Sequence, residues 1–257
     1  MVDKVVIAAA GQGTRMKQLT NNKCKHLIKV NGRPFLAYLL DNLFEAGYRD
    51  LVLIVGYKEE MMKCFVDDYR PKVKDRYKIT IVSQYDILGP KEKEYGTACP
   101  VKCVKNIVKK DDFIYLNGDN LYSVDDLEAM NISDNFNYVA GLNLKNPEKY
   151  GVLVSDDGFL NKIVEKPEEF VGNLINTGMY KFTKDIFNAV SRIKKSPRRE
   201  YEITDAVSLL AKDKKVKIIR IKDHWLDFGN PADIIKLSKF LKSNGIKPSN
   251  KKSKCGL

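Results

Sequence analysis

The chain has 257 residues, 44% of them hydrophobic, and a formal net charge of +12. That length and apolar content support one domain, or one domain with an elaborated half, near the upper limit for a single core. The charge favours anionic partners such as nucleic acid, acidic membranes or phosphorylated small molecules, but Lys and Arg are scattered rather than gathered into a nucleic-acid patch, and no apolar run reaches the ~18 residues of a membrane span.

The N-terminus enters the apolar run Val5-Val6-Ile7-Ala8-Ala9-Ala10 directly, without the features of a signal peptide. That run reads as a buried strand of the parallel type, stopped by glycine. After a polar, basic loop, Pro34 opens a helix whose apolar positions Phe35, Leu36, Leu39, Leu40, Leu43 and Phe44 recur at helical spacing until Gly47. Leu51 to Val55 is a strand, Lys58 to Val66 helical, Ile79 to Val82 extended, Thr97 to Ile107 helical with Pro100 in its first turn, and Phe113 to Leu116 a fourth strand. This alternation predicts an α/β sheet with helices on both faces and ligands at the strands' carboxyl ends.

From Asn137 the strands come closer together: Tyr138 to Leu144, Val152 to Val154, Leu160 to Val164 and Thr177 to Phe182, a mixed or antiparallel half. Helices near Lys184 to Ile193 and Asp205 to Ala211 follow, then a last strand pair, Val216 to Ile221 with His224 to Phe228, and a closing helix from Pro231 to about Leu241. The expected organisation is one domain over 1–243, its first half about 1–136 and its second half about 137–230, with a basic flexible tail at 244–257. Five cysteines, Cys24, Cys64, Cys99, Cys103 and Cys255, lack zinc-site spacing and fit reduced thiols in a cytoplasmic protein. Cys99 and Cys103, at helical spacing, read as packing. His26 and His224 receive no role.

Gly11-Gln12-Gly13-Thr14-Arg15 stands where the first strand ends, so the backbone can approach a ligand and present amides to phosphate oxygens. Met16 replaces the third glycine of a dinucleotide fingerprint. Arg15, Lys17, Lys23, Lys25 and Lys29 share the following loop and suit a triphosphate and its leaving pyrophosphate. Taken alone, the glycines equally close an ordinary turn and the lysines equally form a solvated face. Asp119, in Asn117-Gly118-Asp119-Asn120, and Asp227, in Trp225-Leu226-Asp227-Phe228-Gly229, end strands and can hold Mg²⁺ or cap turns. Glu165-Lys166-Pro167 sets an acceptor beside a cation.

The glycine stretch resembles the signature of the sugar-phosphate nucleotidylyltransferases, the nucleotide-sugar pyrophosphorylases that include glucose-1-phosphate thymidylyltransferase and uridylyltransferase. That signature runs glycine, any residue, glycine, threonine, arginine, then lysine ten positions past the arginine; Gln18, Cys24 and Lys29 stand where the family commonly has proline. The resemblance extends over about residues 3 to 241 through Asn117-Gly118-Asp119-Asn120, Tyr150-Gly151-Val152, Glu165-Lys166-Pro167, Asn176-Thr177-Gly178, Glu202-Ile203-Thr204-Asp205 and the segment around Asp227.

It implies a Rossmann-like nucleotide-binding α/β sandwich, with a mixed, mainly parallel central sheet flanked by helices and a smaller β-rich sugar-binding part. Arg15 and Lys25 would be catalytic cations, and Asp119 and Asp227 the ligands of the Mg²⁺ cofactor. Ala10, Gly11, Gly13 and Thr14 would bind nucleotide, joined by Gln84, Gly96 and Thr97 at the base. Gly89 is the alternative to Gly96, because the charged insert Tyr85 to Tyr95 is longer than the usual pattern. Gly118, Gly151, Glu165, Lys166, Asn176 and Gly178 would line the sugar-phosphate pocket, whereas Thr204 or Asp205 reads equally as a helix N-cap.

The implied reaction joins a nucleoside triphosphate, UTP or dTTP favoured, to a sugar 1-phosphate, glucose 1-phosphate favoured, releasing pyrophosphate. No nucleic acid or membrane partner is expected, nor an appended acyltransferase-type repeat domain, and homo-oligomerisation stays open. A cytidylyltransferase acting on a phosphorylated alcohol and a non-catalytic regulatory relative are the rival readings. The second predicts erosion of Arg15, Lys25, Asp119 or Asp227, and all four are present.

Overall fold

The computed structural model describes residues 2–69, 75–91 and 93–246. The expected flexible tail therefore lies outside the described residues apart from 244–246. Strand β1 (Lys4–Ala8) is followed by short 3₁₀ turns at Thr14–Thr20 and Lys25–Leu27 and a small hairpin, β2 (Lys29–Val30) with β3 (Arg33–Pro34). Helix α1 (Phe35–Glu45) leads to β4 (Asp50–Val55), α2 (Glu59–Asp68), β5 (Lys78–Ser83), α3 (Gln84–Leu88), α4 (Cys99–Val108) and β6 (Phe113–Asn117). Then come β7 (Asn120–Tyr122), α5 (Val124–Ala129), β8 (Asn137–Asn143), β9 (Gly151–Asp156), β10 (Phe159–Glu165) and β11 (Leu174–Phe182). The chain continues through α6 (Asp185–Arg192), α7 (Ile203–Lys212), β12 (Val216–Arg220), β13 (Trp225–Asp227) and α8 (Pro231–Ser243).

Nine strands form one sheet in the order β5-β4-β1-β6-β11-β8-β12-β10-β9. It is mixed, as expected: β5, β4, β1 and β6 are parallel, whereas β11 runs antiparallel to β6 and β8, and β10 to β9 and β12. Alternate residues of the parallel strands feed different cores, as the pleat requires. Val5, Ile7, Leu51 and Leu53 pack with α1 and with Leu237 and Leu241 of α8, while Val6, Val52 and Ile54 pack with α4, α6 and α7. Burial on both faces explains why β1 and β4 read as continuous apolar runs rather than alternating ones.

Two sequence expectations change. The last two strands do not pair with each other: β12 joins the large sheet beside β8, and β13 crosses to form a two-stranded ladder with β7. Strand β11 begins at Leu174 rather than Thr177, because the Asn176-Thr177-Gly178 motif is an irregularity inside the strand, where the register with β8 breaks between Asn176 and Tyr180. The cysteine expectation changes too. Cys24, Cys99 and Cys103 are free and buried, but Cys64 is disulfide-bonded.

The β7–β13 ladder is fastened from below by Phe228, whose ring stacks on Phe35 of α1 with centroids 4.2 Å apart and planes 3° from parallel. Both rings are fully buried. Phe228→Ala removes that contact and opens a cavity beside β13, so urea unfolding should show a loss of about 3–5 kcal/mol. A loss under about 1 kcal/mol would mean that the surroundings collapse to fill the space.

Candidate active site

The glycine loop leaves β1 at its carboxyl end and turns at Gly13, whose backbone is left-handed with φ 67°. A Cβ there would lie 2.8 Å from Cβ of Lys25, so glycine is required twice, by conformation and by room. The turn is held by Thr20, whose hydroxyl donates to the Gly13 carbonyl at 3.2 Å, and by Met16, which is fully buried. At Cys24 the backbone adopts φ −65° and ψ 135°. A proline would impose that geometry, so this departure from the family pattern leaves the local path unchanged.

From that loop Lys25, 6% exposed, forms an ion pair with Asp119, which follows β6. Burial opposes ionisation of Asp119, but the charge and hydrogen bond of Lys25, assisted by Arg15, override it and hold the carboxyl below its ordinary range. Asp227 enters from β13, where its backbone pairs with Asn120, while the Asp119 carbonyl accepts from the N–H of Phe228 at 2.8 Å. Burial, then the charges of Asp119 and Asp233, push Asp227 up to about 6. Two carboxylates thus share one space and repel, a load that a divalent cation relieves.

The donor set fits Mg²⁺, which takes one or two carboxylates and completes its shell with phosphate oxygens and waters. Among the described residues no group of three or more His, Cys, Asp and Glu side chains forms a metal cage. Asp119 and Asp227 are the residues that would hold the ion.

These groups line a cavity of about 530 Å³. Ala10, Gly11, Gly13, Thr14, Arg15, Lys25, Gln84, Gly96, Thr97, Asp119, Gly151, Glu165, Lys166, Asn176, Gly178 and Asp227 all line it. Gly118 does not. It packs against β1, its N–H donating to the Ala8 carbonyl at 2.9 Å, and supports the wall from behind. Gly89 ends α3 away from the cavity, whereas Gly96 lies on it.

The far wall is a network that the sequence left largely unread. Arg198 donates to Glu202 at 2.9 Å and lies 3.5 Å from Glu165, while Ser196 and Thr97 donate to Glu202 at 3.1 and 3.3 Å. Burial, then Glu202, raises Glu165 against the pull of Arg198. Glu202 is the N-cap residue of α7 without a side-chain cap bond, and Thr204 faces the cavity. Asn176 is used in both directions: its Oδ1 accepts from the N–H of Gly178 at 3.0 Å, and its Nδ2 donates to the Tyr180 hydroxyl at 2.5 Å. Tyr150 packs edge-on to Trp225, centroids 5.4 Å apart. His26, Tyr95, Asn117, Asn120 and Glu200 also reach the cavity. The signal for Arg198 and Glu202 was their four-residue spacing, with Glu202 opening the Glu202-Ile203-Thr204-Asp205 motif.

Residues 4–244 match the model of the nucleotidyl transferase family. The chain is 34% identical over 248 residues to a bifunctional sugar-1-phosphate nucleotidylyltransferase/acetyltransferase of Sulfurisphaera tokodaii, covering 96% of this chain and 57% of that protein. It thus spans little more than half the length of that relative. It is also 34% identical over 238 residues to the UTP–glucose-1-phosphate uridylyltransferase AglF of Haloferax volcanii, covering 90% of this chain and 93% of that one. The fold matches a UDP-glucose pyrophosphorylase solved with UDP-glucose, at a TM-score of 0.80 and 22% identity over 95% of this chain and all of that one.

His26, beside Lys25 and 2% exposed, is held down to about 3 by burial first and the Lys25 charge second. The native state therefore refuses a proton that the unfolded chain accepts near pH 6.5. Stability from this residue is complete above that pH and is lost as pH falls from about 6.5 toward 3, by at most ~1.4 kcal/mol per unit. Urea titrations of wild type and His26→Asn should converge as the pH drops through that window. A constant separation would mean that His26 takes up its proton equally in the folded and unfolded states.

Proposed function

The chain belongs to the nucleotidyl transferase family, and from that premise we propose that it joins a nucleoside triphosphate to a sugar 1-phosphate, releasing pyrophosphate. One observation carries the reading. Arg15 and Lys25 on the glycine-loop side and Asp119 with Asp227 at two strand ends share one cavity with the Gly151, Glu165, Lys166 and Gly178 cluster. A polyphosphate and a second phosphorylated substrate can thus meet in one enclosure, with cations on the first and a hydroxyl-binding wall around the second.

In this mechanism an oxygen of the sugar phosphate attacks the α-phosphorus. The bond from that phosphorus to the oxygen bridging toward the β-phosphate breaks, and the electron pair leaves on pyrophosphate. The loop amides and Arg15 hold the outer phosphates, so that the leaving charge develops against a fixed cation. Lys25 exchanges part of its interaction with Asp119 for the α-phosphate. A Mg²⁺ ion bound by Asp119 and Asp227 would supply further charge neutralisation and polarise the α-phosphate. Lys166 bonds the phosphate of the sugar, and Glu165 accepts from a sugar hydroxyl.

UTP or dTTP is the favoured nucleotide, and the buried Gln84 carboxamide, with N–H donors beside a carbonyl acceptor, is able to pair with the imide edge of uracil or thymine. Glucose 1-phosphate is the favoured partner. The activity named for the Haloferax volcanii relative supports that choice.

A matrix of nucleoside triphosphates against sugar 1-phosphates, scored by Mg²⁺-dependent pyrophosphate release, should give its strongest signal for UTP or dTTP with glucose 1-phosphate. A folded protein that releases none from any pair overturns the reading. Lys25→Ala should lower kcat by about 100-fold or more, the scale of losing one charge that stabilises the transition state, while circular dichroism stays native. Normal turnover would remove Lys25 from the mechanism.

A further inference from the structure

The chain between α3 and α4 holds the charged insert, and the fold gives part of it a fixed seat. The N–H of Tyr201 donates to the Tyr95 carbonyl at 2.8 Å, and the N–H of Ala98 to the Tyr201 carbonyl at 2.9 Å. Glu94 pairs with Lys102 of α4 at 2.6 Å. Tyr95 is thereby pinned on the cavity wall. Over its ring, 4.6 Å from the centroid, sits the ammonium of Lys91, which donates to Oε1 of Gln12 at 3.1 Å. The Lys91 side chain of the insert therefore bonds the middle residue of Gly11-Gln12-Gly13, with the Tyr95 ring beside it.

Gln12 is a poor final partner for an ammonium. Its Oε1 is neutral, whereas charge-assisted bonds to phosphate oxygens are roughly twice as strong as neutral ones. A nucleoside triphosphate brings more negative charge than Arg15 and Lys25 carry, and Lys25 is already paired with Asp119. Glu200, which precedes Tyr201 and so lies on the same side of the cavity as Tyr95, feels the charges of Arg198, Lys91 and Lys166. Lys91 is thus a cation hydrogen-bonded to the glycine loop that the transfer chemistry has not yet used.

We propose that Lys91 is a third triphosphate-binding cation, which exchanges Gln12 Oε1 for an oxygen of the β- or γ-phosphate when nucleotide enters and so sets nucleotide affinity. This rests on the nucleotidyl-transfer reading for its ligand but is tested by binding alone. Titration calorimetry of wild type, Lys91→Ala and Lys91→Arg with UTP, inorganic tripolyphosphate and UMP, each with Mg²⁺, separates the outer phosphates from the nucleoside.

Lys91→Ala should weaken UTP and tripolyphosphate by about ten-fold and leave UMP within about two-fold, with Lys91→Arg close to wild type, as expected for one charge-assisted contact. Unchanged UTP affinity overturns the proposal, as does an equal loss for UTP and UMP, which would show that Lys91 only props the insert in position. Should wild type bind UTP yet release no pyrophosphate with any sugar phosphate, the transfer reading fails, while the difference between UTP and UMP still decides Lys91. Wild type that binds neither UTP nor tripolyphosphate overturns the assignment.

Discussion

The ion pair between Lys25 and Asp119 is the contact on which the arrangement of the cavity depends. An ammonium that is 6% exposed is tolerable only with a partner, and the partner sits at the end of a strand that is in register with β1, Lys4 opposite Phe113 and Ala8 opposite Asn117. The loop between β1 and α1 is therefore drawn across the sheet's carboxyl edge, with Met16, Cys24 and Leu27 buried beneath it. Asp119 also receives the backbone of Phe228, so the same residue ties the glycine loop, β6 and β13 together. Asp227 arrives next to Asp119 as a result of that tie, and its raised affinity for a proton reflects its burial first and the neighbouring Asp119 charge second.

Much of the parallel half was legible, because burial on both faces writes itself as unbroken apolar runs. Val5 to Ala10, Leu51 to Val55 and Phe113 to Leu116 were read as strands, and the Pro34-to-Gly47 helix had both its start and its stop in the sequence. The β7–β13 ladder was not legible. Asn120-Leu121-Tyr122 is three residues, too short for periodicity, and although His224 to Phe228 was read as a strand, its partner lies about a hundred positions away. Helix α3 overlaps the segment read only as a charged insert, although Ser83 caps it by accepting from the N–H of Asp86. The irregularity of β11 at Gly178 had a signal in the glycine itself. Its backbone has φ 76°, and a Cβ there would come within 2.2 Å of the Asn117 amide.

For the site, spacing carried the residues that sit in one motif, and the structure brings all but Gly118 to one cavity. Spacing failed for residues whose role depends on tertiary neighbours. His26 and Lys25 are adjacent in sequence, yet burial leaves one neutral and the other an ion-pair partner, a difference that no residue count reveals. Glu202, 4% exposed, is an acceptor for Arg198, Ser196 and Thr97 at once, drawn from two separate stretches of chain. Its satisfied carboxylate turns a turn-rich segment into a firm wall.

The junction of the two halves has a mechanical consequence. Strand β11, which carries Asn176 and Gly178, is hydrogen-bonded to β6, which leads into Asp119, from Met179 opposite Leu116 to Phe182 opposite Phe113. The opposing walls of the cavity are thus neighbouring strands of one continuous sheet. Opening them as a jaw would break that ladder, so adjustment to ligands of different size falls to the connections above the sheet. A frame of this kind keeps the distance between metal-binding and sugar-facing groups nearly constant, and selectivity then resides in what the connecting segments lay across its rim.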